Sequence, residues 1–199
     1  MKQWLADTPG IPDENFLKND SPITKEEIRA VVIAKLRLQK THRFLDVGAG
    51  TGSVTIEASR FLTKGLVYAV EALPPRVALI KENITRLKAT RIQVIEGFAP
   101  QVMEGLPPMD RIFIGGSGGK LPEILAKCAT LLAKDGRLVM TAVTLESLET
   151  ALKILNQAPF VDFEAIALNV AHLKTLQGLH LFQPEHTVHV LAAAVEKER

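Results

Sequence analysis

The sequence predicts a doubly wound α/β fold, a mostly parallel sheet covered by helices on both faces. Three observations carry that expectation. Apolar strand-like runs alternate with helical stretches from Arg43 to Gln157, the order that βαβ units impose. The runs are almost continuously apolar, as strands covered on both sides must be. A glycine-rich turn closes the first run and opens a helix, which places a ligand site at the carboxyl end of the sheet.

At 199 residues the chain fits one domain spanning 1–199. Residues 1–40 read as an N-terminal segment and helix, 41–157 as the βα core, and 158–199 as a strand pair with an insertion. The first twenty or so residues are rich in Pro, Asp and Asn and read as irregular. Thr24, with Glu27 three residues on, forms a capping box for a helix over Glu26–Leu38. Strands follow at Arg43–Val47, Leu66–Val70, Arg91–Ile95, Arg111–Ile114 and Gly136–Val143. Between and after them lie helices at Val54–Leu62, Pro75–Lys88, Pro100–Leu106, Leu121–Leu132 and Leu145–Gln157. Val161–Val170 and Thr187–Val195 then read as two strands with no helix between them. Such a pair must run antiparallel or part company. A seven-stranded, mostly parallel sheet with an antiparallel last strand is the Rossmann-like arrangement of class I methyltransferases, whereas dehydrogenase-type folds continue with βα units.

Composition narrows the function classes. With 24 basic and 22 acidic residues the net charge is +2, and no run of like charges appears, so no nucleic-acid footprint is expected. No stretch reaches the roughly 18 apolar residues of a membrane span, and the first residues break into prolines and acids where a signal peptide would be apolar. A lone cysteine, Cys128, lies in an apolar helical stretch and reads as a buried small hydrophobe. The expected setting is soluble and cytoplasmic, with no membrane or nucleic-acid partner.

The turn after the first strand reads Asp46-Val47-Gly48-Ala49-Gly50-Thr51-Gly52. Three alternating glycines allow a tight turn and close approach of a ligand to the backbone. The spacing is G-x-G-x-G rather than the dinucleotide G-x-G-x-x-G, and Asp46 would oppose a pyrophosphate. A cofactor that is cationic at that end, a sulfonium with a free amino group, tolerates or uses the acid. Glu71 ends the second strand nineteen residues past Gly52, where a carboxylate accepts from both hydroxyls of a ribose. Together these point to S-adenosylmethionine. Glu96-Gly97-Phe98-Ala99-Pro100 closes the third strand, where such folds set backbone groups against an adenine edge; Phe98 serves either as apolar contact or as core.

The fourth strand runs into Gly115-Gly116-Ser117-Gly118-Gly119 and then Lys120. Methyltransferases of exocyclic base nitrogens carry a polar-Pro-Pro-aromatic motif here, and none is present. Glycines instead make a floor without side chains, with amides free to donate to an anionic or extended substrate. Lys120 stands where a helix begins, whose positive end favours substrate carboxylates.

With these segments the chain resembles the decarboxylating cobalt-precorrin C-15 methyltransferases of cobalamin biosynthesis. The matching pieces are Ile11-Pro12-Asp13 with Phe16, Pro22-Ile23-Thr24, Asp46–Ser53, Glu96–Pro100, Asp110–Gly119, Gly136–Glu146 and Leu168-Asn169-Val170. The resemblance implies methylation of C-15 of a (cobalt-)precorrin with loss of carbon dioxide from the ring-C acetate. It also implies cofactor contacts at Thr24, at Gly48, Ala49, Gly50, Thr51 and Gly52, at Glu71, which replaces the commoner aspartate, and at Ala99. A homotetramer is implied too, and Leu173–His186 is where its contact is expected.

No catalytic triad is visible, and none is needed if an electron-rich meso carbon attacks the methyl group. Substrate carboxylates would be held by Lys120, His172, Lys174 and the Gly115–Gly119 amides. His172, His180, His186 and His189 do not make a metal site, so any cobalt would arrive within the tetrapyrrole. The competing readings are a methyltransferase of the same fold acting on tRNA or on protein isoaspartyl groups, and a silent cofactor-binding module.

Overall fold

The computed structural model of the chain describes residue 4 and residues 6–196. The ends of the 1–199 span lie outside the described residues, so the expectation of an irregular start is met from residue 6 onward. A short 3₁₀ turn at Asp13–Asn15 precedes α1 (Glu26–Leu36). Then come β1 (Arg43–Val47), α2 (Ser53–Ser59), β2 (Leu66–Glu71), α3 (Pro74–Arg86), β3 (Ile92–Glu96) and β4 (Met109–Ile114). The chain continues through α4 (Leu121–Leu131), β5 (Leu132–Ala142), α5 (Leu145–Leu155), β6 (Phe160–Leu168), β7 (Ala171–Leu176), β8 (Leu179–Pro184) and β9 (Val188–Val195).

Seven strands form one sheet in the order β3-β2-β1-β4-β5-β9-β6. The first five run parallel. β9, last in the chain, is inserted between β5 and β6 and runs antiparallel to both. This is the class I methyltransferase architecture the sequence predicts, and it follows from two terminal strands that lack a crossover helix. Ile28, Val32, Leu36, Val54 and Ala58 of α1 and α2 cover one face, packing on Phe44, Val67, Phe113 and Val139. Leu121, Ile124, Leu125, Cys128, Ala151 and Leu155 of α4 and α5 cover the other, over Leu45, Ile112, Leu138 and Leu191. Cys128 is fully buried, and burial lifts its thiol pKa above the usual range.

Several boundaries differ from the sequence expectation. Lys25, not Thr24, is the N-cap of α1, and no side chain caps it. The capping box is absent: the helix opens one residue later, with Arg29 N donating to Lys25 O at 2.8 Å, and the Thr24 carbonyl accepts from the Arg29 guanidinium. The helix stops at Leu36 because Arg37 turns into the left-handed region at φ 49°, and the last carbonyls are satisfied from the sheet. Arg137 Nε donates to Lys35 O at 2.8 Å and Arg111 Nε to Leu36 O at 2.6 Å. The helix expected at Pro100–Leu106 shrinks to a 3₁₀ turn at Gln101–Met103.

The stretch between the last two predicted strands is itself a hairpin, β7 paired antiparallel with β8. Its turn is Gln177-Gly178, with φ 50° and 81°. Two successive positive φ angles mark a type I′ turn, whose twist suits a two-residue hairpin. Gln in place of the usual Asn or Asp hid the signal.

Candidate active site

The chain reverses direction across the sheet at β1: β2 lies on one side of it and β4 on the other. The loops leaving β1 and β4 therefore part to opposite faces and leave a crevice between them. Backbone bonds fuse their roots. Val47 O accepts from Gly115 N at 2.9 Å and from Gly116 N at 3.3 Å, while Gly48 N and Ala49 N donate to Val70 O at 2.9 and 3.0 Å. Gly48 has φ +72°, and a Cβ there would fall 2.5 Å from the Gly116 carbonyl oxygen and 2.8 Å from its Cα and N. No side chain flexes away from a backbone–backbone conflict. Gly48→Ala is therefore expected to lose about 2 kcal/mol or more of stability. A urea unfolding midpoint that matched the wild type would show that the two loops separate freely.

A cavity of about 550 Å³ opens at this point, within the range of small-molecule sites. Of the residues the sequence nominates for a cofactor, Thr24, Asp46, Gly48, Ala49, Gly50, Thr51, Glu71, Gly97 and Ala99 line it. Of those nominated for substrate, Gly115, Gly116, Ser117, Gly118 and Lys120 line it. Gly52 and Gly119 lie outside the lining. A Gly52 Cβ would press on Ile80 at 3.1 Å, and Gly119 faces open space with φ +82°.

Asp46 is 1% exposed. Its Oδ2 accepts from Thr55 Oγ1 at 2.5 Å, and its Oδ1 is buried with no partner. Burial lifts the carboxyl to about 7; hydrogen bonding from Thr55 opposes the rise, and the nearby Glu71 charge adds to it. Thr51 Oγ1 is a second buried, unpartnered polar atom on the same lining. Of the four buried side-chain polar atoms without a partner among the described residues, these two lie on the cavity lining, where a bound ligand would complete their bonding.

Glu71 has a role the sequence did not reveal. Its Oε2 accepts from Gly50 N at 2.9 Å, and its Oε1 from Ala72 N and Leu73 N at 3.0 Å. The carboxylate thus shapes the glycine loop from its place on the cavity lining. The expectation that all Gly115–Gly119 amides are free for substrate needs correction, since Gly115 and Gly116 spend theirs on Val47 O. What these two residues provide instead is a flat, side-chain-free wall. Phe98 is 62% exposed and lines the cavity, so it is contact surface rather than core. His172 and Lys174 sit on the exposed β7–β8 hairpin outside the lining, with His172 Nε2 3.6 Å from Glu27 Oε1. Among the described residues no group of three or more His, Cys, Asp or Glu side chains is placed to hold a metal ion.

Sequence reasoning missed the polar residues behind the cavity. Arg29, Glu57 and Asn83 are fully buried and tie residues 10–24 to the glycine loop and its helix. The signal available was a charged residue at a core position of an apolar helix face, as at Glu57 between Ile56 and Ala58.

Comparison with known proteins gives a consistent result. A family model described as a precorrin methyltransferase domain matches residues 15–195. A probable cobalt-precorrin-6B C(15)-methyltransferase (decarboxylating) of Pyrobaculum aerophilum is 37% identical over 193 residues, covering 96% of this chain and 98% of its own. The Salmonella typhimurium cobalt-precorrin-6B C(15)-methyltransferase (decarboxylating) is 37% identical, covering 93% and 96%. The crystal structure of a precorrin-6y C5,15-methyltransferase from Geobacter metallireducens superposes with a TM-score of 0.89 at 37% identity, covering 96% of this chain and 100% of that one.

Proposed function

Because the chain belongs to the precorrin methyltransferase family, we propose that it methylates C-15 of a cobalt-precorrin and removes carbon dioxide from the ring-C acetate, in cobalamin biosynthesis. S-adenosylmethionine is the methyl donor in this reading. The observation that carries it is the pair of buried, unpartnered polar atoms, Asp46 Oδ1 and Thr51 Oγ1, set in the cavity where β1 and β4 diverge. An ammonium-bearing, hydroxyl-rich nucleoside supplies what those atoms lack.

When bound, S-adenosylmethionine supplies an electrophilic methyl group on a cationic sulfur. The protein's part is chiefly alignment, which for a displacement of this kind provides most of the acceleration. Asp46, once ionised, holds the positive amino-acid end. Glu71 takes the ribose hydroxyls on the lone pairs its three backbone donors leave. Gly97, Phe98 and Ala99 flank the base, with Phe98 offering a ring face. The Gly115–Gly118 wall lets a flat macrocycle come close to the methyl group, and Lys120 at the N-cap of α4 holds one of its carboxylates. Loss of carbon dioxide leaves an electron pair that the conjugated ring takes up; the carbon left on ring C then gains one proton, C-15 gives up the one its new methyl displaces, and the two exchanges with solvent cancel. The protein holds the remaining carboxylates and leaves the departing one poorly solvated.

Incubation with methyl-labelled S-adenosylmethionine and a C-5-methylated cobalt-precorrin tests the proposal by mass spectrometry. A gain of one methyl with loss of carbon dioxide is the expected result. Cofactor binding without change in any tetrapyrrole, metal-bearing or metal-free, would sink the substrate assignment.

We further propose a homotetramer that uses the β7–β8 hairpin, and a cytoplasmic enzyme with no nucleic-acid or membrane partner. Among the described residues no helix is long and apolar enough to cross a membrane. Leu173 pairs across the ribbon with Phe182 and Leu176 with Leu179, and all four are more than half exposed. A two-stranded ribbon is marginal in water by itself, and apolar residues on both of its faces call for cover from another copy. The double variant Leu179→Asp/Phe182→Asp is expected to shift the solution mass from four 21.8 kDa chains towards one, with the fold retained. Light scattering coupled to gel filtration reads the change, and an unaltered mass would move the interface elsewhere.

A further inference from the structure

The cavity has a wall that belongs to neither glycine loop. Pro22, Ile23, Thr24 and Lys25 line it, and the Pro22 carbonyl comes within 3.3 Å of where a Cβ on Gly50 would stand. These residues end a segment with little regular structure, so side chains must hold it in place. Two buried polar nodes do so. At the first, the Glu57 carboxylate accepts from the Gly10 and Ile11 amides and from Arg29 Nε at 2.6 Å, while Arg29 also donates to the Ile11 and Thr24 carbonyls.

The second node is Asn83 on α3, which is 0% exposed. Its Oδ1 accepts from Leu17 N at 2.8 Å, and its Nδ2 donates to Leu17 O at 2.9 Å and to Thr51 O at 2.9 Å. One amide thus grips the N-terminal segment with two bonds and the glycine loop with a third. An Asn side chain has two donors and a two-pair acceptor, so this arrangement uses both donors. Nearby, Arg86 Nε donates to Asn15 O at 3.0 Å and braces the same stretch.

We propose that Asn83 is a positioning residue for cofactor binding, fixing Thr51 of the glycine loop against Leu17 so that Pro22–Lys25 stand as a wall of the cofactor cavity. Asn83 does not line that cavity. It acts through Thr51, whose hydroxyl is one of the two orphaned polar atoms there, and through the segment that carries Thr24. The proposal rests on the reading that S-adenosylmethionine occupies the site.

Asn83→Asp is isosteric, keeps the acceptor for Leu17 N–H, and removes both donors. Calorimetric titration with S-adenosylmethionine is expected to show affinity falling about tenfold or more, since the buried Thr51 carbonyl and the part-buried Leu17 carbonyl lose their donors. At saturating cofactor kcat should stay near that of the wild type, because Asn83 touches neither substrate nor methyl group. A second measurement needs no variant. In the wild type, cofactor should slow amide hydrogen exchange at Leu17, leaving the β5–β9 ladder unchanged. Unaltered affinity in a folded Asn83→Asp variant overturns the proposal, as does unaltered exchange at Leu17 in cofactor-saturated wild type. If the wild type binds no S-adenosylmethionine at all, the reading of the site falls first and this proposal falls with it.

Discussion

Replacing Arg29 with methionine is expected to lower the unfolding free energy by about 3–5 kcal/mol, the largest stability loss among the substitutions considered. Both ends of the Arg29–Glu57 pair are fully buried, so neither ion regains water when its partner goes. Methionine fills much of the guanidinium's volume but leaves Glu57 as a buried charge with only the Gly10 and Ile11 amides beside it. It also strips the donors from the Ile11 and Thr24 carbonyls. Urea denaturation followed by circular dichroism reads the effect as a lower midpoint with an unchanged slope. The double variant Arg29→Met/Glu57→Gln should recover part of the loss, because the uncompensated charge is gone. A double variant no more stable than Arg29→Met would place the cost in the lost carbonyl contacts instead. The Lys153–Glu149 pair on α5 provides the contrast: its side chains are 71% and 66% exposed, and Lys153→Ala should change stability by no more than about 0.5 kcal/mol.

That contrast also explains which parts of the molecule were legible in the sequence. Strands β1, β2 and β4, the glycine turn and Glu71 announce themselves through local pattern, since continuous apolar runs and alternating glycines have few other uses. The order of the sheet follows from connection rules once the strands are known. Arg29 and Asn83 announce nothing, because their partners lie at Glu57, Thr51 and Leu17, far along the chain. A sequence without long-range pairing shows only a polar residue on a helix. Thr24 illustrates the same limit. Its spacing to Glu27 suits a capping box, yet its carbonyl accepts from Arg29, which the distant Glu57 holds in place. Gly115 and Gly116 repeat the lesson at the site: composition showed a bare loop, but only the register of β1 against β4 shows where its first amides go.

Asp46→Asn separates function from stability at the centre of the site. In the ligand-free protein the carboxyl titrates near pH 7 because it is buried, well above its unfolded value. Between the unfolded pKa and 7 the native state holds a proton that the unfolded state has released. By linkage, stability contributed by this group is full at low pH, falls as pH rises to about 7, and is level above that. Binding of a cationic cofactor selects the ionised form, so its affinity runs the opposite way. It should rise up to tenfold per pH unit below about 7 and level off above, with one proton released on binding in the lower range. Asparagine removes the charge while keeping the shape and an acceptor for Thr55 Oγ1. At pH 8 Asp46→Asn is expected to weaken S-adenosylmethionine binding about ten to a hundredfold, the worth of a charge-assisted contact, and to flatten the pH profile. Its ligand-free melting temperature at pH 8 should match or exceed that of the wild type, since a costly buried charge is gone. Calorimetry from pH 6 to 8 alongside thermal melts reads both halves. A variant that loses stability and keeps its pH-dependent affinity would return Asp46 to a purely structural role under Thr55 and assign the positive end of the cofactor to another part of the cavity.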